Sequence, residues 1–292
     1  MFLKSDFEYC APQTLAEALE LVGDGREDTV LLAGGTDLLL SMKKEELKPV
    51  RVVDLKKLAE LNYIKERQGH IRIGAATSFA TLQKSGLLQR KARALAGACA
   101  EMGSPQIRNS STIGGNLVTA SPAADSVPPL MVLEAGVVLS SLHGERELPL
   151  EGFLLGINRT ALRKDEILTA LYFKSPGARD VTEFEKLGRR RALSIARLSV
   201  AVFLSSSQDS SSLQEARISL GAVGENPFRD REAEEYLKGK ELSEVVIQNT
   251  LEILSNTVAG TLGDRKSAPF KRESIKGVAR RALSRAMVYL NQ

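Results

Sequence analysis

Leu31-Leu32-Ala33-Gly34-Gly35-Thr36-Asp37-Leu38 and Thr112-Ile113-Gly114-Gly115-Asn116-Leu117 are the two stretches on which the reading of this chain turns. The first continues a short apolar run, Val30-Leu31-Leu32, and is followed by another, so it reads as strand, glycine turn, short helix. Glycine lets a backbone approach a ligand closely and adopt conformations closed to other residues. Successive N–H groups in such turns form concave nests that hold anions, phosphate above all. The hydroxyls of Thr36, Ser111 and Thr112 add donors beside them. Two such loops facing each other would grip both halves of a pyrophosphate. Neither pair is a dinucleotide fingerprint, because the third glycine and the acidic residue about 20 positions on are missing. Neither is a P-loop, since no Gly-Lys-Ser/Thr follows. Taken alone, a glycine pair also reads as an ordinary turn, and the residues by themselves leave both readings open.

Outward from these loops, the chain alternates short elements. Thr14-Leu15-Ala16-Glu17 has the form of a capping box, in which each side chain satisfies a free backbone N–H of the other; Leu15, Ala18, Leu19 and Val22 follow at helical spacing. Val50 to Leu55 and Ile71 to Ala75 read as strands. Ser78 is placed to cap a short helix. Leu87 to Met102 is rich in good helix formers and reads as one helix ended by Gly103-Ser104-Pro105. Ser110 to Pro129, dominated by small polar residues, Gly and Pro, has the composition of a solvated loop. Val137 to Leu142 and Ile167 to Phe173 are strand-like, and Ser175-Pro176-Gly177 is the expected domain boundary. Beyond it, Ala216 to Ala222 alternates as an antiparallel strand does. Ser205 to Ser212 reads as a hairpin loop, and Ser243 to Val258 as a helix. A last helix carries Ile275, Val278, Ala279, Ala282, Leu283 and Ala286 on one stripe. Strands followed by helices indicate an α+β domain.

Bulk properties exclude several function classes. The 292 residues favour two domains, and 43% hydrophobic with 26% charged residues is ordinary for a globular chain. The net charge of +4 is dispersed, with Arg189-Arg190-Arg191 as the one tight run and no aromatics interleaved, which argues against a nucleic-acid surface. Cys10 and Cys99 give no disulfide framework, zinc pair or iron–sulfur cluster set. The start lacks the apolar core of a signal peptide, and no uncharged run reaches the roughly 20 residues of a membrane span, so a cytoplasmic location is expected. His70 and His143 stand alone and read as surface or core residues.

Leu31 to Leu38, Gly103-Ser104-Pro105-Gln106-Ile107-Arg108-Asn109, and Thr112 to Leu117 through Ser121-Pro122-Ala123-Ala124-Asp125 together resemble the FAD-binding (medium) subunits of the xanthine dehydrogenase family of molybdenum hydroxylases. That family includes carbon monoxide and nicotinate dehydrogenases. Val53-Asp54-Leu55, Ile73-Gly74-Ala75, Asp165-Glu166-Ile167-Leu168 and Lys186-Leu187-Gly188 to Ser199-Val200-Ala201 extend the resemblance over essentially the whole chain. It implies a two-part FAD-binding domain of the vanillyl-alcohol-oxidase type over residues 1–176 (subdomains about 1–57 and 58–176), then a small α+β domain over 177–292. It also implies non-covalent FAD, with Leu31, Leu32, Ala33, Gly34, Gly35, Thr36, Asp37 and Leu38 and then Ser111, Thr112, Ile113, Gly114, Gly115 and Asn116 around the pyrophosphate. Asp125 would meet the adenosine end through a ribose hydroxyl. Met102, where relatives often carry an aromatic residue, would lie along the flavin with Leu168 and Lys186, the lysine stabilising the reduced ring. Asp37 is expected to order its own turn through backbone bonds.

The resemblance further implies electron transfer. Separate iron–sulfur and molybdopterin subunits would supply the [2Fe–2S] clusters and the molybdenum centre, with electrons passing through FAD to NAD⁺ or another acceptor. No side chain of this chain is then needed as a catalytic acid or base, and no metal is expected in it. The alternative is a free-standing FAD oxidoreductase with its own substrate, but the roughly 115 residues after the boundary are short for a substrate cap. A scaffold that has lost flavin is disfavoured by the intact glycine pairs.

Overall fold

A computed structural model describes residues 6–190, 193–206 and 212–290. The chain begins with a three-stranded parallel sheet in which Arg51–Asp54 lies between Glu8–Cys10 and Thr29–Leu32. The helix Leu15–Gly23 packs Ala18 and Val22 onto it. Thr14 caps that helix as expected, accepting from the Glu17 N–H at 3.2 Å. The return bond differs by one residue, because the Glu17 carboxylate takes the N–H of Gln13 rather than that of Thr14. The strand, glycine turn and short helix around Gly34 form as read, the helix being Leu38–Lys43.

A five-stranded antiparallel sheet follows, in the order Ile64–Arg67, His70–Gly74, Ile167–Lys174, Gly136–Ser141, Gly144–Pro149. Short helices pack against it around one large aliphatic core. Two expectations are corrected here. The predicted helix over Leu87 to Met102 is two helices, Gly86–Lys91 and Arg93–Glu101, broken at Ala92, whose φ of −140° and ψ of 57° lie outside the helical region. Helix propensity is uniform across the break, and Ala92 and Leu95 there are wholly buried, so tertiary packing competes with propensity at this point. The segment Ser110 to Pro129 is no solvated loop. It holds the helices Ile113–Thr119 and Val127–Val132, and Ile113, Leu117, Val127 and Leu130 are wholly buried. Pro128 and Pro129 lie in the first turn of the second helix, where they cost no hydrogen bond because the N–H groups there have no intrahelical partner.

The C-terminal part is a four-stranded antiparallel sheet, Asp180–Leu187, Leu198–Ser206, Leu213–Gly221 and Phe228–Arg229, with the long helices Glu244–Leu262 and Ala268–Leu290. Its central strand Leu198–Ser206 shows why the two parts are welded. Leu198, Val200, Val202 and Leu204 face the C-terminal helices, whereas Ala201 and Phe203 enter the core of the preceding part. Alternating side chains on opposite faces are thus buried on both. Polar bonds add to the seam: the Ala94 N–H donates to Thr182 Oγ1 at 3.1 Å, and Arg93 pairs with Glu183 at 3.0 Å. The expected stripe from Ile275 to Ala286 is buried at every position named. Arg191 and residues 207–211 of the expected hairpin loop lie outside the described residues. Among the described residues, no helix is long and apolar enough to cross a membrane.

Leu283 is fully buried in the C-terminal core. Leu283→Ala is expected to lower the unfolding free energy by about 2–5 kcal/mol, read as a fall in the urea midpoint at unchanged slope.

Candidate functional site

The two glycine loops meet. A Cβ on Gly34 would lie 2.6 Å from Ser111 Cα and closer still to the Ser110 carbonyl, so main chain rests on main chain where the first loop crosses the entry to the second. Gly35 has a φ of +71°, which turns the chain into the helix Leu38–Lys43. The amides of Gly34, Gly35, Thr36, Asp37 and Leu38 donate to no protein acceptor among the described residues. Five consecutive N–H groups therefore stand unused in a turn that is only partly buried.

The second loop is built differently from the first. Its amides from Ile113 to Asn116 are already committed: Ile113 to Thr77 O, Gly114 to Ala75 O, Gly115 to Thr112 Oγ1 and Asn116 to Thr112 O. Gly114 is glycine because a Cβ there would lie 2.6 Å from the Ala75 Cβ. Thr112 serves as N-cap of the helix Ile113–Thr119, and Ser111 turns its hydroxyl to Ile107 O at 2.7 Å. This loop is a buttress, fixing the strand end at Ala75 and the floor on which Gly34 sits. Asp37 also departs from expectation. Its side chain makes no capping bond in its own turn and instead accepts from Thr119 Oγ1 at 3.4 Å, tying the first loop to the far end of the second motif's helix.

From the second motif the contacts run on to the remaining candidates. Asn116 Oδ1 accepts from the Ser126 hydroxyl at 2.6 Å, beside Asp125. Asp125 is buried and pairs through Oδ2 with Lys186 Nζ at 2.5 Å, across the seam between the two parts of the chain. The resemblance assigns these two residues to different ends of a cofactor, and the fold puts them in contact. Lys186 also donates to the carbonyl of Glu101, next to Met102, at 3.2 Å. Burial pushes the Asp125 carboxyl up to about 6, against the pull of the lysine. Its second oxygen, Oδ1, is buried without a hydrogen-bond partner among the described residues, an arrangement that costs free energy unless a further donor arrives. Leu168 stands apart: it is 5% exposed and belongs to the central core, beside a register shift in its strand. Met102 is half-buried and packs on the same core. Leu31 and Leu32 form the end of the edge strand before the first loop. His70 and His143 are both exposed at strand hairpins away from these loops.

Sequence reasoning missed Ser110, Thr119, Ser126, Glu101 and Arg108, all of which hold named residues in place. Arg108 stands inside a quoted motif. The others act through a carbonyl or hydroxyl that carries no local pattern.

Comparison with known proteins gives the family. Residues 5–173 match the family model of the FAD binding domain in molybdopterin dehydrogenase, and residues 183–286 match that of the CO dehydrogenase flavoprotein C-terminal domain. This chain belongs to the FAD-binding, medium subunits of the molybdenum hydroxylases. It is 38% identical over 277 residues to the nicotinate dehydrogenase FAD-subunit of Eubacterium barkeri, covering 94% of this chain and 93% of that one. To the xanthine dehydrogenase FAD-binding subunit of Escherichia coli O157:H7 it is 31% identical, covering 96% and 95%. A chain of the carbon monoxide dehydrogenase of Hydrogenophaga pseudoflava superposes with a TM-score of 0.90 at 30% identity, covering 99% of both chains. The two-part FAD-binding fold with its C-terminal α+β domain is therefore that of the medium subunits.

The residues fit the cofactor that the family implies. The unused amides suit a diphosphate, and the partnerless Asp125 Oδ1 suits a hydroxyl donor. Because Gly34 sits against backbone rather than against a movable side chain, Gly34→Ala must push the two loops apart. Overpacking of this kind is expected to lower stability by about 1–3 kcal/mol, measured as a drop in the denaturant midpoint of the full chain.

Proposed function

We propose that this chain is the FAD-carrying electron-transfer subunit of a molybdenum hydroxylase, holding FAD non-covalently. Partner chains would carry the [2Fe–2S] clusters and the molybdopterin. The observation that carries the reading is the run of five unpartnered amides from Gly34 to Leu38, together with a buried carboxylate, Asp125, that has one free oxygen. In this reading the amides of Gly34, Gly35, Thr36, Asp37 and Leu38, with the Thr36 hydroxyl, hold the pyrophosphate. The second motif, Ser111 to Asn116, forms the wall behind it, and Leu31, Leu32 and Ala33 set the height of the first loop. Asp125, held beside Lys186, receives a sugar hydroxyl of the cofactor at Oδ1. Lys186 does two things: it favours the ionised form of Asp125, and it places positive charge beside Met102, on the side where that residue would flank the ring. When bound, the isoalloxazine takes up electrons singly from iron–sulfur clusters and gives them up as a pair to NAD⁺ or another acceptor, the reason a flavin stands between one-electron and two-electron carriers. This chain's own residues bind, orient and tune; none has to move a proton. We divide the chain at Pro176 and Gly177, with a further division near residue 57, and place it in the cytoplasm. The choice of organic substrate belongs to the molybdenum-bearing partner, and the likeness to nicotinate and xanthine dehydrogenase subunits favours a nitrogen heterocycle.

The purified full chain, titrated with FAD, should show flavin absorption and quenched flavin fluorescence at one equivalent. A chain that stays colourless at saturating FAD would refute the reading. A hydroxyl donor needs the ionised carboxylate, so affinity should weaken as the pH falls through about 6 and level off above it. Asp125→Asn should weaken binding roughly tenfold or more at pH 7.5, as expected for loss of a charged hydrogen bond of about 1.5–3 kcal/mol. The same substitution should flatten the pH profile, and a parental Kd with no change between pH 5 and pH 7.5 would remove Asp125 from the site.

A further inference from the structure

The turn Glu101-Met102-Gly103 exposes three successive carbonyls, and each is held by a cation. Lys186 Nζ donates to Glu101 O at 3.2 Å, while a single nitrogen of Arg108, Nη1, donates to Met102 O at 3.0 Å and to Gly103 O at 3.1 Å. Arg108 is half-buried and pairs with no carboxylate among the described residues, so the carbonyls are what fix its head group. It sits on the short helix Pro105–Ser110, which Ser104 caps by accepting from the Ile107 N–H at 3.2 Å. The side chain thus folds back over the start of its own helix. The turn it closes is tight: Gly103 has a φ of +45°, and a Cβ there would lie 2.9 Å from Ile107 Cγ2. The other end of the same helix is Ser110, whose carbonyl is the surface Gly34 rests upon.

We infer that Arg108 is a positioning residue for the flavin: by clamping the Met102–Gly103 carbonyls it fixes the turn beside Lys186 in register with the loop seam at Gly34. One rigid helix then spans from the Met102 turn to the Gly34–Ser110 contact, and Arg108 prevents that turn from swinging about its left-handed glycine. A guanidinium suits this task because its planar head is pre-organised and loses little freedom per bond, whereas an ammonium is a flexible point charge. The inference rests on the flavin reading above.

The test uses the full chain with Arg108→Met, Arg108→Lys and, as an independent disturbance of the same turn, Gly103→Ala. Each is titrated with FAD and followed by absorption shape, by the midpoint potential of the bound flavin and by the melting temperature without FAD. Arg108→Met should raise the FAD Kd roughly tenfold or more and move the midpoint potential to more negative values. Arg108→Lys should fall between parent and Arg108→Met in both readouts, and Gly103→Ala should follow Arg108→Met. Should Arg108→Met not fold, Arg108→Lys decides: a Kd and potential equal to the parent's overturn the inference. A lowered melting temperature with unchanged Kd, spectrum and potential in the folded variants would make Arg108 merely structural and overturn it too. Failure of the parent to bind FAD would instead remove the flavin reading itself, so the two failures are told apart.

Discussion

A backbone-on-backbone contact governs this molecule. Gly34 lies against the Ser110 carbonyl and Ser111 Cα with no room for a side chain between them. The contact joins the N-terminal parallel sheet to the central antiparallel part, and every other candidate residue is placed relative to it. Gly34 presses its loop against protein, while the amides of residues 34–38 stay free of protein acceptors among the described residues. Asymmetry follows from the same cause: the second loop must be rigid to carry the first, and it achieves this by spending its own N–H groups on Ala75, Thr77 and Thr112. Two glycine pairs that look equivalent in sequence thus do different work, one presenting donors and the other bearing load.

The second constraint is a charge pair buried across the seam between the two parts of the chain. Asp125 and Lys186 are each almost fully enclosed, where the cost of desolvating two ions is repaid only by good geometry and further hydrogen bonds. Lys186 has a second acceptor in Glu101 O, but Asp125 leaves one oxygen unanswered. Such a site is costly for stability alone and makes sense as a place prepared for a partner. It also explains why the C-terminal sheet is packed on both faces. Were Phe203 and Phe184 not anchored in the central core, the strand bearing Lys186 could not hold an ammonium at hydrogen-bond distance from a carboxylate on another element.

Much of this was legible in the sequence where a local rule carries the information. The strand–turn–helix at Gly34, the caps at Thr14 and Ser78, the helix from Ser243, and the stripe from Ile275 to Ala286 all appear where spacing and side-chain chemistry placed them. Composition misled where tertiary burial overrides it. Ser110 to Pro129 is polar in content but folds inside, because its hydroxyls and amides find partners in Ala75, Thr77, Ile107 and Ser126. The break at Ala92 left no trace, since alanine suits a helix and here obeys packing instead. At the site, resemblance pointed to Asp125 and Lys186 separately; that they form one pair depends on strand register, which no short motif encodes.

In this reading the free main-chain amides of the first loop hold the cofactor, and hydrogen exchange of the full chain with and without FAD tests that. Amides 34–38 should exchange fast in the free chain and become protected on adding FAD, while amides 113–116 should be slow in both states. Protection appearing at 113–116 with no change at 34–38, in a chain that demonstrably holds FAD, would contradict it.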